Sequence, residues 1–173
     1  MTHNIDNTHI ESLKDRHLNL LLIEDSLVDA MMIKKLLSRH MPYICGVTHA
    51  ETMASAEFTL KNSEIDIILL DLGLPDTNGG EDTFRRMANV KETIPVVILT
   101  SEEDHDLAMV LVDNGAEDFV SKTMIVKSPQ QLCDTLDFAI CRHDHMSDIK
   151  KHNASELNDK DMVIQWLSGG YSK

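Results

Sequence analysis

Cysteine is scarce in this sequence, and the few cysteines do not form a recognisable site. Cys45, Cys133 and Cys141 are odd in number, and no two of them are spaced as C-x-x-C. The pattern excludes a disulfide framework and a cysteine-rich zinc site. It is typical of reduced thiols in a reducing compartment.

Long hydrophobic runs are also missing. No apolar stretch approaches the roughly 20 residues that are needed to cross a bilayer. The first 17 residues are polar and lack the apolar core of a signal peptide. These absences predict a cytoplasmic protein without a membrane segment.

Positive charge is in short supply. Lys and Arg together number 16, against 29 Asp and Glu, and the formal net charge is −13. Nucleic-acid backbones and anionic lipid surfaces are bound by clusters of Lys and Arg, which this sequence does not provide. The charge therefore argues against direct DNA binding and against attachment to an anionic membrane.

Five short strand-like segments recur along the chain, with amphipathic helical patterns between and after them. They lie at 18–23, 43–48, 65–71, 94–99 and 117–120. Apolar runs of this length are typical of strands that are buried on both faces, and the weaker second segment predicts an edge strand. Strands that alternate with helices predict an α/β fold with a doubly wound parallel sheet of (βα)5 type.

One domain is expected between residues 17 and 144. Residues 1–16 form a polar arm, and residues 145–173 combine a polar linker with a short amphipathic helix. Fewer than 30 residues cannot make a separate output domain. We expect the last segment to dock on its own domain or to fray at its end. The alternative is that Trp166 anchors a partner or a second copy.

Polar residues follow four of the five predicted strands. Since the carboxyl ends of parallel strands share one edge of the sheet, ligands bind there. The residues at these ends are Glu24, Asp25, Asp71, Thr100 and Lys122. The sequence therefore brings three carboxylates, a hydroxyl group and an ammonium group into one crevice.

Three carboxylates at one edge require a positive partner, because like charges raise one another's pKa. Magnesium fits, since it takes one or two carboxylates, several waters and a phosphate oxygen, and Mn²⁺ could substitute for it. With Lys122 and Thr100 opposite, Asp71 is placed to accept a phosphoryl group whose charge the cation and the ammonium group would neutralise. The residues predict a magnesium-dependent phosphoacceptor.

Together these motifs resemble the receiver domain of two-component response regulators. The matching segments are the acidic pair after the first strand, Asp-Leu-Gly-Leu-Pro-Asp after the third, Ile-Leu-Thr-Ser after the fourth and Phe-Val-Ser-Lys after the fifth. The spacing also fits, with 46 residues from Asp25 to Asp71, 29 more to Thr100 and 22 more to Lys122. The resemblance covers about 18–143 and implies a flavodoxin-like fold with strand order 2-1-3-4-5.

The resemblance implies a role for each matching residue. Asp71 would receive the phosphoryl group from a phosphohistidine, and Lys122 would pair with Asp71 or with that group. Glu24 and Asp25, together with Asp71 and the backbone carbonyl of Gly73, would hold magnesium.

The resemblance also implies a conformational switch. Thr100 would move towards the phosphoryl group and Phe119 would rotate inward behind it, so that a new dianion changes the loop and helix positions. Gly73 and Glu102 fall where the family tunes its dephosphorylation rate. The sequence departs from the common family pattern in having Phe119 where others have Tyr, and Thr123 where many have Pro.

The implied partners are a histidine kinase or a histidine phosphotransfer protein. A homodimer through the face of the fourth helix, the fifth strand and the fifth helix is a further expectation. We expect a stand-alone receiver that controls protein contacts or passes phosphate along a relay. Such a protein catalyses only its own phosphorylation and dephosphorylation and is not an enzyme in the usual sense.

Three alternatives fit the residues less well. An aspartate-based phosphatase requires Asp-x-Asp after the first strand, where this sequence has Glu24-Asp25-Ser26. A flavodoxin-like cofactor-binding protein requires a phosphate loop rich in Ser, Thr and Gly, and an acidic pair there would repel phosphate. A degenerate receiver that acts as a scaffold without phosphorylation is disfavoured, since the acidic pair, the Asp, the Thr and the Lys are all present.

Overall fold

Five parallel strands form the centre of the protein in the computed structural model. It describes residues 13–90, 93–101 and 104–168, with side chains throughout these ranges except at residue 90 and residues 154–168. The strands are β1 (Leu18–Ile23), β2 (Ile44–Ala50), β3 (Ile67–Asp71), β4 (Val96–Thr100) and β5 (Asp118–Ser121). All paired strands are parallel and their order is β2-β1-β3-β4-β5. The predicted fold class and strand order are confirmed.

Helices connect the strands and cover both faces of the sheet. They are α1 (Leu27–His40), α2 (Met53–Asn62), α3 (Gly80–Val90), α4 (His105–Asp113), α5 (Lys122–Lys127) and α6 (Pro129–Ser168). None of the helices within the described residues combines the length and the apolar character needed to cross a membrane.

The two faces of the sheet bury separate hydrophobic clusters, because neighbouring residues on a strand point to opposite sides. In β1, Leu20 and Leu22 belong to the cluster beneath α1 and α6, whereas Leu21 and Ile23 belong to the cluster beneath α2, α3 and α4. Residues of both clusters in β1, β3 and β4 are almost fully buried. This burial explains why these strands are continuously apolar in the sequence.

The helix α1 begins immediately after the acidic pair. The Ser26 hydroxyl accepts a hydrogen bond from the Asp29 amide at 3.3 Å, as an N-cap residue does. In a capping box the Ser26 amide would donate back to the Asp29 side chain. Here it donates instead to Glu24 Oε1 at 3.1 Å. The cap of the helix is therefore also a contact to the acidic cluster.

Two helical segments differ from the sequence prediction. The short helix α5 was not predicted, because its β-branched residues give no amphipathic repeat, and it is anchored by the buried Ile125.

The predicted linker after 144 is wrong in its secondary structure, because α6 continues as one helix to Ser168. No Gly or Pro occurs between 130 and 168, so polar composition alone does not interrupt the helix. The division into a domain and a tail remains a prediction.

The packed part of the chain includes at least one residue of the predicted polar arm. Leu13 is 2% exposed and lies in the cluster beneath α1 and α6. Arg16 makes an ion pair with Asp144 near the middle of α6. The residues just ahead of β1 therefore pack against the domain.

Candidate functional site

The sheet register places the candidate residues side by side. Asp71 is the last residue of β3, and Glu24 follows the last residue of β1, which pairs with the residue before Asp71. Thr100, the last residue of β4, pairs with Ser121, and Lys122 comes next in the chain. The edge formed by the carboxyl ends of the strands thus carries these side chains, as the sequence predicted from strand order alone.

Three carboxylates at this edge form an acidic cluster. Oxygen atoms of Glu24, Asp25 and Asp71 all lie within 4.8 Å of one another. Glu24 is fully buried and Asp71 is 7% exposed, whereas Asp25 is open to solvent. Across the described parts of the chain this is the one group of three or more possible metal-ligating side chains.

Lys122 contacts the two buried carboxylates of this cluster and Asp29 beside them. Its Nζ is 2.8 Å from Glu24 Oε2, 3.0 Å from Asp71 Oδ1 and 3.8 Å from Asp29 Oδ2. Glu24 Oε2 nevertheless has no hydrogen bond of acceptable geometry within the described residues. The contact to Lys122 is an ion pair, since charge attraction does not require hydrogen-bond geometry. Asp29 was not predicted here, since its position fits a helix cap equally well.

Burial and charge shift the pKa values of these groups in a consistent way. Burial raises the pKa of Glu24 and of Asp71; a neighbouring carboxylate adds to each rise, and Lys122 acts against it. Burial lowers the pKa of Lys122, but the ion pairs with Glu24 and Asp71 outweigh it, so that its pKa is raised. Lys122 is therefore held in its charged form, while the two buried acids resist ionisation.

The acidic residue at the end of β1 is also fixed through its backbone. His49, near the end of β2, places Nε2 at 2.7 Å from the Glu24 carbonyl oxygen. Because a carbonyl only accepts, Nε2 carries the donated proton. His49 was not predicted as part of the site, since a histidine on an edge strand gives no sequence signal of a contact to β1.

Thr100 is the second polar residue of the site that is fully buried. Its Oγ1 has no hydrogen-bond partner within 13–90, 93–101 and 104–168. A buried hydroxyl without a partner costs about 1–3 kcal/mol, so a ligand oxygen at this edge would stabilise it. Phe119 is partly buried and meets His105 edge to face at a centroid distance of 5.1 Å. Glu102, which we assigned to rate tuning, lies outside the described residues.

Gly73 lies beside Asp71 and, unlike the other candidate residues, has no side chain and offers only backbone groups to the site. The backbone amide of Gly73 acts against the rise in the pKa of the Asp71 carboxyl. A Cβ at Gly73 would lie 3.5 Å from Asp71 Oδ2, which is ordinary contact distance. Sterics alone therefore do not require glycine here, and the backbone of this residue is what faces the site.

The donor set fits a hard divalent cation. Among the described residues, Lys122 is the one ammonium group in an ion pair with this cluster, against two buried carboxylates and one exposed carboxylate. The cluster therefore carries excess negative charge. Oxygen ligands in this number and of this type suit magnesium. Glu24, Asp25 and Asp71 are the side chains that could hold it.

Comparison with known proteins gives a consistent result. The family model for the response regulator receiver domain matches residues 20–137. The swarming motility regulation protein RssB of Serratia marcescens is 32% identical over 105 residues, which cover 61% of this chain and 46% of RssB. The transcriptional regulatory protein KdpE of Staphylococcus aureus is 30% identical over 79 residues, covering 44% of this chain and 32% of KdpE. The chain thus spans less than half the length of these relatives.

Solved structures show the same fold. The signal receiver domain of a LuxO repressor protein from Vibrio parahaemolyticus superposes with a TM-score of 0.63 at 29% identity, covering 77% of this chain and 97% of that one. A receiver domain from Bacteroides fragilis superposes with a TM-score of 0.59 at 25% identity, covering 70% and 95%. Receiver domains are signalling modules and not classical enzymes. The chain belongs to the response regulator receiver domain family of two-component signalling.

Proposed function

We propose that Asp71 is the phosphoacceptor of a magnesium-dependent receiver domain. The observation that carries the proposal is the position of Asp71 at the end of β3. There it is nearly buried, 3.0 Å from Lys122 and clustered with Glu24 and Asp25. A nucleophilic carboxylate beside an ammonium group and further carboxylates is the arrangement that phosphoryl transfer to Asp requires.

The chemistry divides among these residues. A carboxylate oxygen of Asp71 forms a bond to phosphorus while the bond from phosphorus to the donor nitrogen of a phosphohistidine breaks. Lys122 favours the ionised, nucleophilic form of Asp71 before transfer and neutralises phosphoryl charge during transfer. Magnesium, held by Glu24, Asp25 and Asp71 with the Gly73 carbonyl, would supply further positive charge at the phosphoryl oxygens.

The product changes the interactions at the edge of the sheet. A phosphoryl group on Asp71 brings new acceptor oxygens close to Lys122 and to the unpartnered hydroxyl of Thr100. A hydrogen bond from Thr100 to one of them would satisfy that buried hydroxyl. Movement of Thr100 leaves space that Phe119, two residues ahead of Ser121, would fill. This is the two-state element of the proposed switch.

The proposed partners follow from this chemistry. A histidine kinase or a histidine phosphotransfer protein supplies the phosphoryl group in the cytoplasm, and the domain catalyses its own phosphorylation and dephosphorylation. The changed conformation then controls protein contacts, including a homodimer through α4, β5 and α6, or the phosphoryl group passes onward in a relay.

Acetyl phosphate provides a direct test. The protein is incubated with acetyl phosphate and Mg²⁺ and its intact mass is measured, with Asp71→Asn as the test variant. Asp113→Asn, on the exposed end of α4, is the matched control. We expect one phosphoryl adduct on the wild type and on the control, none on Asp71→Asn, none with a chelator, and recovery with Mn²⁺. An adduct that persists on Asp71→Asn would contradict the assignment, and no adduct on the wild type would favour the scaffold alternative.

A further inference from the structure

Asp76 lies in the loop that follows β3, and both of its carboxylate oxygens bind another element. Oδ1 accepts a hydrogen bond from the Met53 amide at 2.8 Å, and Oδ2 accepts one from the Ala54 amide at 2.9 Å. These are the first two amides of α2, which have no partner within their own helix. Asp76 therefore joins the loop after Asp71 to the N-terminus of α2.

The N-terminus of α2 also has a complete cap of its own. Thr52 Oγ1 accepts from the Ser55 amide at 3.1 Å, and Ser55 Oγ accepts from the Thr52 amide at 3.2 Å. This reciprocal pair is a capping box that forms from local sequence alone. The start of the helix is thus fixed without Asp76, whereas the exposed loop depends on Asp76 for this contact.

The helix α3 also binds Asp76, through the side chain of Arg86. Arg86 Nη1 donates to the backbone carbonyl of Asp76 at 3.0 Å. The guanidinium group also donates through Nε and Nη2 to Glu57 Oε1 in α2, at 3.1 Å and 2.8 Å. The side chain of Asp76 therefore binds α2 and its backbone binds α3, so three elements meet at this residue.

The other end of the loop is anchored beside the sheet. Thr83 Oγ1, in α3, lies 3.1 Å from the Leu72 carbonyl oxygen and is fully buried. Gly73 lies between this anchor and Asp76, and a Cβ built on it would lie 3.5 Å from Asp71 Oδ2, so its backbone is next to the acceptor carboxylate. Between these two ends Leu74 is buried in the core, while Gly73 and Pro75 are exposed. Fixing the segment at both ends and at Leu74 also fixes the position of the Gly73 backbone relative to Asp71.

We propose that Asp76 is a positioning residue for phosphotransfer. By holding the loop to α2 and α3, it keeps the Gly73 backbone beside Asp71, where the Gly73 carbonyl is available to the cation. The inference rests on the proposed function of Asp71 as phosphoacceptor. Misplacement of a reacting group by about 1 Å can cost up to roughly 100-fold in rate, so a loosened loop has a measurable effect.

The experiment compares Asp76→Ala with Thr52→Ala. Both variants remove caps from the N-terminus of α2, but only the first frees the loop that contains Gly73. Urea unfolding gives their stabilities, and the rate of phosphorylation by acetyl phosphate is followed as Mg²⁺ is varied. The amide signal of Gly73 in ¹H–¹⁵N spectra reports its position directly.

We expect both variants to lose stability, and Asp76→Ala alone to move the Gly73 signal. Asp76→Ala should also slow phosphorylation by about tenfold or more and raise the Mg²⁺ concentration needed for half-maximal rate. Asp76→Asn, which keeps one acceptor oxygen, should recover part of both effects. If Asp76→Ala matches Thr52→Ala in rate, Mg²⁺ dependence and Gly73 signal, the positioning role is wrong. If the wild type takes up no phosphoryl group, the proposed function fails first, and the inference with it.

Discussion

Lys122 Nζ lies 3.0 Å from Asp71 Oδ1, and the same ammonium group lies 2.8 Å from Glu24 Oε2. One positive charge therefore serves two buried carboxylates, and the exposed Asp25 adds a third negative charge to the cluster. Such a site gains stability from added positive charge and loses it when Lys122 is removed.

In the absence of bound cations, replacement of Lys122 by Met should destabilise the protein. Since Lys122 is 22% exposed, we expect a loss of about 3 kcal/mol, at the lower end of the range for breaking a buried ion pair. The loss should shrink as Mg²⁺ is added, because the cation replaces part of the missing charge. Urea unfolding with Mg²⁺ or with a chelator measures both effects. A variant as stable as the wild type in chelator would show that the ion pairs do not hold the site together.

Replacement of Asp71 by Asn should stabilise the protein at neutral pH in chelator. Burial raises the pKa of Asp71 above its ordinary value of 3.8, so its contribution to stability is present below 3.8. That contribution is lost as the pH rises through the raised value. The stability advantage of Asp71→Asn should therefore grow as the pH rises above about 4, and it should shrink with Mg²⁺. Unfolding free energies across this range test the sign, with Asp113→Asn as the surface control.

His143, in α6, should make the free energy of unfolding depend on pH. Its Nδ1 lies 3.0 Å from Glu117 Oε1 and its Nε2 lies 2.8 Å from the Thr93 carbonyl oxygen, so both ring nitrogens face acceptors. Only the imidazolium form donates to both, and the bond to Glu117 raises the pKa of His143 above 6.5, although burial opposes this. The contribution is therefore complete below pH 6.5 and is lost as the pH rises through the raised value.

His143→Gln should remove this pH dependence, because Gln does not ionise. The difference in unfolding free energy between wild type and variant is measured at several pH values from 6.5 upward. Glu117→Gln is the matched control, since it keeps a hydrogen-bonding group while removing the negative charge, and it should weaken the same trend. A constant difference between the wild type and His143→Gln would contradict the assignment.

The buried hydroxyl of Thr83 should contribute more to the free energy of unfolding than its methyl group does. It lies 3.1 Å from the carbonyl oxygens of both Leu72 and Gly79, and 2.7 Å from Thr77 Oγ1. Thr83→Val keeps the shape but removes the donor to the carbonyl of the buried Leu72, which should cost about 1–3 kcal/mol. The Gly79 carbonyl keeps its hydrogen bond from the Thr83 amide. Thr83→Ser keeps the hydroxyl and should retain most of the stability. Equal stabilities of the two variants in urea unfolding would refute the role of the hydroxyl.

The sequence predicted the strand ends well because each depends on local information. The runs at β1, β3 and β4 are apolar on both faces, and parallel pairing then brings Glu24, Asp71 and Thr100 to one edge whatever the loops do. The fold class and strand order are therefore confirmed, and the predicted residues at the strand ends lie together. Their roles in phosphotransfer remain predictions.

Other features could not be predicted, because they depend on contacts distant in sequence. Asp76 follows Pro75 in a segment typical of a turn, and nothing in the sequence links it to the amides of Met53 and Ala54. His49 likewise is an ordinary residue of an edge strand until β1 places the Glu24 carbonyl beside it. The predicted linker after residue 144 is helical for a different reason. Its polar composition is compatible with a helix, and residues 145–168 include no Gly or Pro to end one.

The uninterrupted course of α6 has a mechanical consequence. Its 40 residues make a rod about 60 Å long at 1.5 Å per residue. Contacts between α6 and the rest of the domain extend at least to Asp144, which makes an ion pair with Arg16. The stretch from Asp144 to Ser168 is about 36 Å long and contains no Gly or Pro at which the helix would bend. A tilt of about 5° at the packed end would carry Ser168 about 3 Å sideways. A small adjustment at the domain surface would therefore arrive at the far end of the helix as a displacement the size of a side-chain contact.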